Sequence, residues 1–186
     1  MFTRTTSFDL MHVNAITVIP RDIAGFSKKG DLLISSHNFD LVAVIDPLDA
    51  KILWLWGPGQ ILKQHHPTLL DNNNILIFDN GAPVKRPYSR VIEVNPFTKE
   101  IVWEYKASPP EKFFSVSRGA AQRLPNGNTL ITNSDSGYVF EVTKNGEIVW
   151  EFYCPEIDGK EEKRAAIYRF IRITEPEKYP RLKNLE

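Results

Sequence analysis

The sequence predicts an all-β fold of the β-propeller type, with three four-stranded antiparallel blades and a short helical C-terminal tail, on three observations. One segment recurs: VAVIDPLDAKILW ends at Trp54, VIEVNPFTKEIVW at Trp103 and VFEVTKNGEIVW at Trp150, so the tryptophans stand 49 and 47 residues apart. Each copy places two apolar runs around a turn built on Asp46-Pro47, Asn95-Pro96 or Asn145-Gly146, the pattern of a β-hairpin. A further pair of strand-like runs precedes each hairpin: AITVIP and DLLISS around Gly30, PTLLD and NILIFD around Asn72 to Asn74, AAQRLP and NTLITN around Asn126-Gly127.

Each unit is thus strand, turn, strand, loop, strand, turn, strand, and the blades fall at about residues 12–56, 65–105 and 118–152. The repeat tryptophans read as packing residues between blades. After Trp150 the pattern changes, and residues 153–186 form a tail that caps the edge. Glu156 to Lys163 is a charged connector, and Ile167, Phe170 and Ile171 at three-four spacing predict a short amphipathic helix from Arg164. Pro176 and Pro180 prevent its continuation. Residues 1–186 therefore make one partial propeller domain. Propellers close with about four to eight blades, so three blades imply a missing N-terminal half or a homo-oligomer in which a second copy completes the ring. Met1 standing just ahead of the first repeat favours the missing half.

Composition removes several function classes. Of the 186 residues 42% are apolar and 25% charged, which excludes an intrinsically disordered chain. Lys plus Arg and Asp plus Glu are equal at 23 each, so no global field draws the chain to nucleic acid or to an anionic membrane. Apolar runs such as Leu41 to Ile45 fall far short of the ~20 residues that span a bilayer. Asp9 and His12 interrupt the first twenty residues, which do not read as a signal peptide. The single Cys154 excludes an intrachain disulfide and leaves the compartment open.

Chemistry is concentrated at the starts of the inner strands, because the entrance loops of successive blades face one mouth of the axis. The residues there are His12 and Asn14, His65 and His66, then Arg118 and Gln122. Arg90 in YSRVIEV and Asn80 in FDNG stand in equivalent positions or loops, while His37 lies one strand further out and is expected at the margin. Imidazoles can ligate metals, but no His-x-x-x-His spacing or adjoining carboxylate cluster supports a metal centre. A pocket of histidines, arginines and asparagine amides instead suits transfer of a small anionic unit, sulfuryl or phosphoryl, with histidine as nucleophile or acid-base group and cations to hold the anion. Strand alternation favours His66 over His65 as the inward residue, with His12 the rival nucleophile.

The stretches HVNAI, QHHPTLLDNNNILIFDNG, YSRVIEVNPFTKEIVWEY and AQRLPNGNTLITNSDSGYVFEVTKNGEIVWEF together resemble the carboxy-terminal half of the arylsulfotransferase family. The resemblance covers about residues 9 to 180. It implies a six-bladed ring, no adenylyl sulfate donor or other cofactor, and ping-pong transfer from an aryl sulfate ester to a phenol through a sulfohistidine. It also implies His12, His66 and Arg90 as catalytic, and Asn14, His65, Asn80 and Arg118 as substrate-binding. A periplasmic or other extracytoplasmic location is part of the same implication. One position departs from the family: FFSVSRGAAQ offers Ser115, Ser117 and Arg118 where members carry a further histidine. The alternative function is a non-catalytic propeller module that binds a ligand or a partner protein.

Overall fold

In the computed structural model, which describes residues 9–159 and 163–175, the chain forms three four-stranded antiparallel sheets, each a meander in chain order. The first holds β1 (Val13–Val18), β2 (Leu32–Ser36), β3 (Leu41–Asp46) and β4 (Lys51–Trp56). The second holds β5 (His65–Leu69), β6 (Ile75–Asp79), β7 (Arg90–Val94) and β8 (Ile101–Tyr105). β9 (Ala120–Arg123), β10 (Thr129–Asn133), β11 (Tyr138–Val142) and β12 (Ile148–Tyr153) complete the third. A two-stranded ladder, β13 (Ile157–Asp158) with β14 (Lys163–Arg164), comes after them.

Side-chain alternation stacks the sheets. In β6, Ile75 and Ile77 point into a core shared with Val42, Val44, Trp54 and Trp56 of the first sheet. Leu76 and Phe78 point the other way, against Ile131, Phe140 and Val142 of the third. A strand covered on both faces reads as a continuous apolar run, and all five residues of β6 are buried. The repeat tryptophans stitch neighbouring sheets: the Trp54 indole N–H donates to the Pro96 carbonyl and that of Trp103 to the Lys144 carbonyl, each at 2.8 Å, in the hairpin turn of the next sheet. The inner strands β1, β5 and β9 consequently lie side by side, with their starts at one end of the stack.

The predicted helix from Arg164 is absent. Lys163 and Arg164 are in β14, residues 165–175 are irregular, and the only helical turns among the described residues are the short 3-10 turns Pro110–Lys112 and Ser134–Ser136. Residues 160–162 of the charged connector and the terminal part of the tail from Pro176 lie outside the described residues. What displaces the helix is the edge of the third sheet. Ile167 and Phe170 pack on Leu124, Leu130, Val139, Trp150 and Phe152. The backbone is held by side chains of the third sheet and its connecting turn: Ser134 donates to the Tyr168 carbonyl at 3.0 Å, while Thr132 Oγ1 and Gln122 Oε1 accept the amides of Phe170 and Arg172.

The tail also repeats a contact between sheets. Arg123 of β9 pairs with Glu93 at 2.8 Å and lies over the Trp103 ring. Arg172 pairs with Glu141 and lies over the Trp150 ring. Glu93 and Glu141 occupy equivalent positions opposite these tryptophans. Residues 168–174 therefore take, against the third sheet, the place that an inner strand takes against the sheet before it. Burial would push the Glu141 carboxyl up, but hydrogen bonds from Asn128, Asn126 and Arg172 together with the Arg172 charge hold it below the usual carboxylate range. Arg172→Ala is expected to lower stability by about 2 kcal/mol, between the values for an exposed and a buried pair, since Arg172 is 37% exposed while Glu141 is buried and keeps only its amide partners. Amide hydrogen exchange should show the loss of protection concentrated in residues 165–174.

Candidate functional site

The inner-strand starts surround a cavity of about 240 Å³, lined among others by Asn14, His65, His66, Arg118, Tyr168 and Arg169. Four of these are residues singled out in the sequence, and two, Tyr168 and Arg169, come from the tail. Arg90, His12 and Asn80 are not among the lining residues. The Arg90 guanidinium is fully occupied, with Asp79 at 2.7 Å, Glu104 at 2.8 Å and the Gln60 carbonyl at 2.7 Å. Because the Leu62 amide donates to the same Asp79, the Arg90–Asp79 pair braces the segment that leads into His65.

His65 opens β5 and is buried. Its Nδ1 lies 2.8 Å from Asn80 Oδ1 and 3.1 Å from the Lys63 carbonyl. The Asn80 amide nitrogen donates to the carbonyls of Ser115 and Arg118, at 2.7 and 2.8 Å, so the oxygen of that amide is the atom facing His65. Both neighbours of Nδ1 are therefore acceptors, Nδ1 carries the proton, and in the neutral ring Nε2 keeps its lone pair.

His66 has a φ of +50° and sits where the register of β5 shifts between His65 and Thr68. An extra residue at such a bulge breaks the alternation that sends neighbours to opposite faces. Both histidines consequently line the cavity, where alternation alone would admit one. His66 Nδ1 is buried with no hydrogen-bond partner among the described residues, and so is Asn14 Oδ1, whose amide nitrogen is held by the Gln64 carbonyl at 2.8 Å.

His12 hydrogen-bonds Asp9 through Nδ1 at 2.8 Å. As expected, His37 does not line the cavity, but it is close to the other histidines. Its ring lies between those of His12 and His65, at centroid distances of 4.8 and 5.7 Å. The reason is the pairing of Val13 with Ser36, which sets His37 beside His12, and the His37 amide donates to the His12 carbonyl at 3.0 Å. Among the described residues no group of three His, Cys, Asp or Glu is arranged to hold a metal ion.

Burial favours the neutral imidazole at all three inner histidines. It pushes His37 and His65 below the ordinary value of 6.5 and His66, which also faces the Arg169 charge, down to about 4. The unfolded chain binds these protons near pH 6.5 and the folded chain does not. Stability is therefore complete above that value and falls as the pH drops toward 4, with about 3 kcal/mol attached to His66. Urea unfolding at pH 7 and pH 4.5 should show a smaller acid loss for His66→Gln than for the wild type.

The three sheets can be placed among known proteins. A family model described as arylsulfotransferase (ASST) matches residues 2–154. The chain belongs to the arylsulfotransferase family. A search of curated proteins finds no match. Among solved structures the chain is similar to a protein of unknown function from Bacteroides caccae, at 16% identity and a TM-score of 0.52 over 78% of this chain and 47% of that one. It is similar to virginiamycin B lyase from Staphylococcus aureus at 21% identity and a TM-score of 0.52, over 81% of this chain and 44% of the lyase. At these identities the likeness is one of fold, and the chain spans less than half the length of either structure.

Proposed function

We propose that this arylsulfotransferase-family chain carries the nucleophilic half of a sulfuryl-transfer site, taking the sulfuryl group from an aryl sulfate ester and passing it to a phenol through a sulfohistidine. The observation that carries the reading is the locked tautomer of His65. A neutral imidazole whose Nδ1–H is fixed by Asn80 and Lys63 presents Nε2 as a ready lone pair beside a cavity that holds arginines. The sequence favours His66 by alternation; the hydrogen bonding favours His65.

In the first step His65 Nε2 attacks sulfur, the N–S bond forms, the ester S–O bond breaks and the aryl oxygen leaves with the electron pair as a phenolate. In the second step the oxygen of the acceptor phenol attacks sulfur and the N–S bond breaks, returning the lone pair to Nε2. The acceptor's proton passes to His66, which burial keeps neutral and able to take it, and then to the departed phenolate or to water. Guanidinium groups of the cavity hold the three sulfuryl oxygens in both steps. Asn80 orients the nucleophile, and Arg90 acts at one remove by bracing the segment before it.

The first sheet also turns an apolar face outward. Ile16 and Val18 of β1 and Ile52 and Leu55 of β4 are 64%, 60%, 56% and 37% exposed on the flanks of this face, while Ile34 and Ala43 between them are buried. A further blade of the same fold, in a six-bladed ring, is the cover we propose for it.

Mass spectrometry after incubation with 4-nitrophenyl sulfate and a neutral quench tests the reading. A sulfuryl adduct on His65 supports it, and an adduct on His66 or His12 reassigns the nucleophile. Absence of both adduct and 4-nitrophenol release overturns transfer in favour of a binding module.

A further inference from the structure

Two arginines line the cavity, and the structure gives them different surroundings. Arg118 leans on an acidic neighbour: its Nε lies 3.7 Å from Asp135 and 3.2 Å from Ser117 Oγ, and Ser117 itself donates to Asp135 at 2.7 Å. Arg169 has neither an ion pair nor a hydrogen bond to any group among the described residues. It is nevertheless held on the cavity wall, because the backbone on either side is tied down: the Tyr168 carbonyl accepts from Ser134, the Phe170 amide donates to Thr132, and the Phe170 ring packs on Trp150 and Phe152.

Arg169 is exposed, and with its backbone held on the cavity wall and no carboxylate to compete, its guanidinium is available to an anion there. The same wall carries the unpartnered Nδ1 of His66. Buried polar atoms in native structures are nearly always hydrogen-bonded, and one left open at a concave site marks where a ligand atom completes the set. We propose that Arg169, brought to the cavity by the tail, is the principal cation that binds the sulfuryl oxygens of the substrate, with His66 beside it and Arg118 as a weaker second cation. The identity of the anion rests on the sulfuryl-transfer reading; the anion site itself rests on the geometry. The tail is then part of the binding pocket as well as the cover of the third sheet.

The proximity of Arg169 to His66 gives the test a readout that a merely structural role would not move. The cationic guanidinium is one of the causes, after burial, that hold His66 down to about 4, so its removal lets the ring titrate at higher pH. Inorganic sulfate binding by calorimetry, the KM for 4-nitrophenyl sulfate and the NMR titration of the His66 ring are to be measured in the wild type, Arg169→Gln, Arg169→Lys and Arg118→Gln.

For Arg169→Gln we expect sulfate affinity to fall about tenfold or more, KM to rise more than kcat falls, and the His66 titration to move upward. Arg169→Lys should retain part of the affinity and return the His66 titration toward the wild type, which separates charge from folding. Arg118→Gln should cost less than Arg169→Gln. Unchanged sulfate affinity and an unmoved His66 titration in a folded Arg169→Gln overturn the proposal, even where 4-nitrophenyl sulfate is still turned over. Sulfate binding that depends on Arg169 in a protein that turns over no aryl sulfate supports the anion site and removes the transfer reading instead.

Discussion

Replacing His65 with alanine is expected to lower transfer from 4-nitrophenyl sulfate by at least about 10⁴-fold, the scale on which removal of a covalent nucleophile acts. The size of the effect reflects the groups that remain in the cavity without it. The arginines and Asn14 still bind the ester, so KM should change little, while His66, the other imidazole on the cavity wall, lacks the Asn80 contact that fixes the His65 tautomer. His66→Ala should cost less, about 10²-fold in the phenol-acceptor step, because it removes a proton carrier and leaves the N–S bond free to form. Asn80→Ala falls between them. It frees the His65 ring to turn and to change tautomer, and it strips the Ser115 and Arg118 carbonyls of their donor. Stopped-flow release of 4-nitrophenol separates the cases: His65→Ala abolishes the first burst, whereas His66→Ala keeps the burst and slows the steady state after it. A His65→Ala protein with an intact burst would move the nucleophile elsewhere, and His65→Gly with added imidazole should recover part of the lost rate.

The stacking of three sheets was legible in the sequence because it is written three times. The recurring Trp and hairpin turns carry it, and the indole bonds from Trp54 and Trp103 to the next turn give those tryptophans a physical reason to recur. The end of the stack that holds the cavity was legible for the same reason, since Asn14, His65, His66 and Arg118 all stand at starts of inner strands. Two local features and the tail were not. The bulge that turns both His65 and His66 onto the cavity needs a positive φ that no periodicity announces. The position of His37 depends on the register of β1 against β2, which sets it beside His12.

The tail departs from its expected helix because three apolar residues at three-four spacing are weak grounds for a helix of ten residues, which is marginal on its own and yields to tertiary contacts. A better signal is present in the chain. Arg123 stands 20 residues beyond Trp103 and Arg172 stands 22 beyond Trp150, and each covers its tryptophan. That spacing, taken as part of the repeat, places residues 168–174 beside the inner strands, and with them Tyr168 and Arg169 at the cavity.

The family resemblance implies Arg90 as a catalytic cation, and its partner Asp79 leads to the largest stability effect we expect. Asp79 is fully buried and serves three donors at once: Arg86 and Arg90 through their guanidinium groups and Leu62 through its amide. Asp79→Ala leaves two cations facing each other without the carboxylate between them. Arg90 keeps Glu104 and the Gln60 carbonyl, but Arg86, whose Nη1 already has no partner among the described residues, keeps nothing of comparable strength. Removing one side of a buried ion pair costs about 3–5 kcal/mol, against about 1 kcal/mol for an exposed one, and the value expected here is in the upper range. Asp79→Asn retains an acceptor for the Leu62 amide and should cost less while leaving the charges uncompensated. The loss should also reach the site, because Leu62 and Arg90 together position the residues that lead into His65. Urea unfolding is the measurement for stability, and the NMR signal of the His65 Nδ1–H, expected to be sharp in the wild type because Asn80 holds it, reports the loosening. Unfolding of Asp79→Ala within about 1 kcal/mol of the wild type would mean that the two arginines find other partners, and the brace would then have to be sought outside β6 and β7.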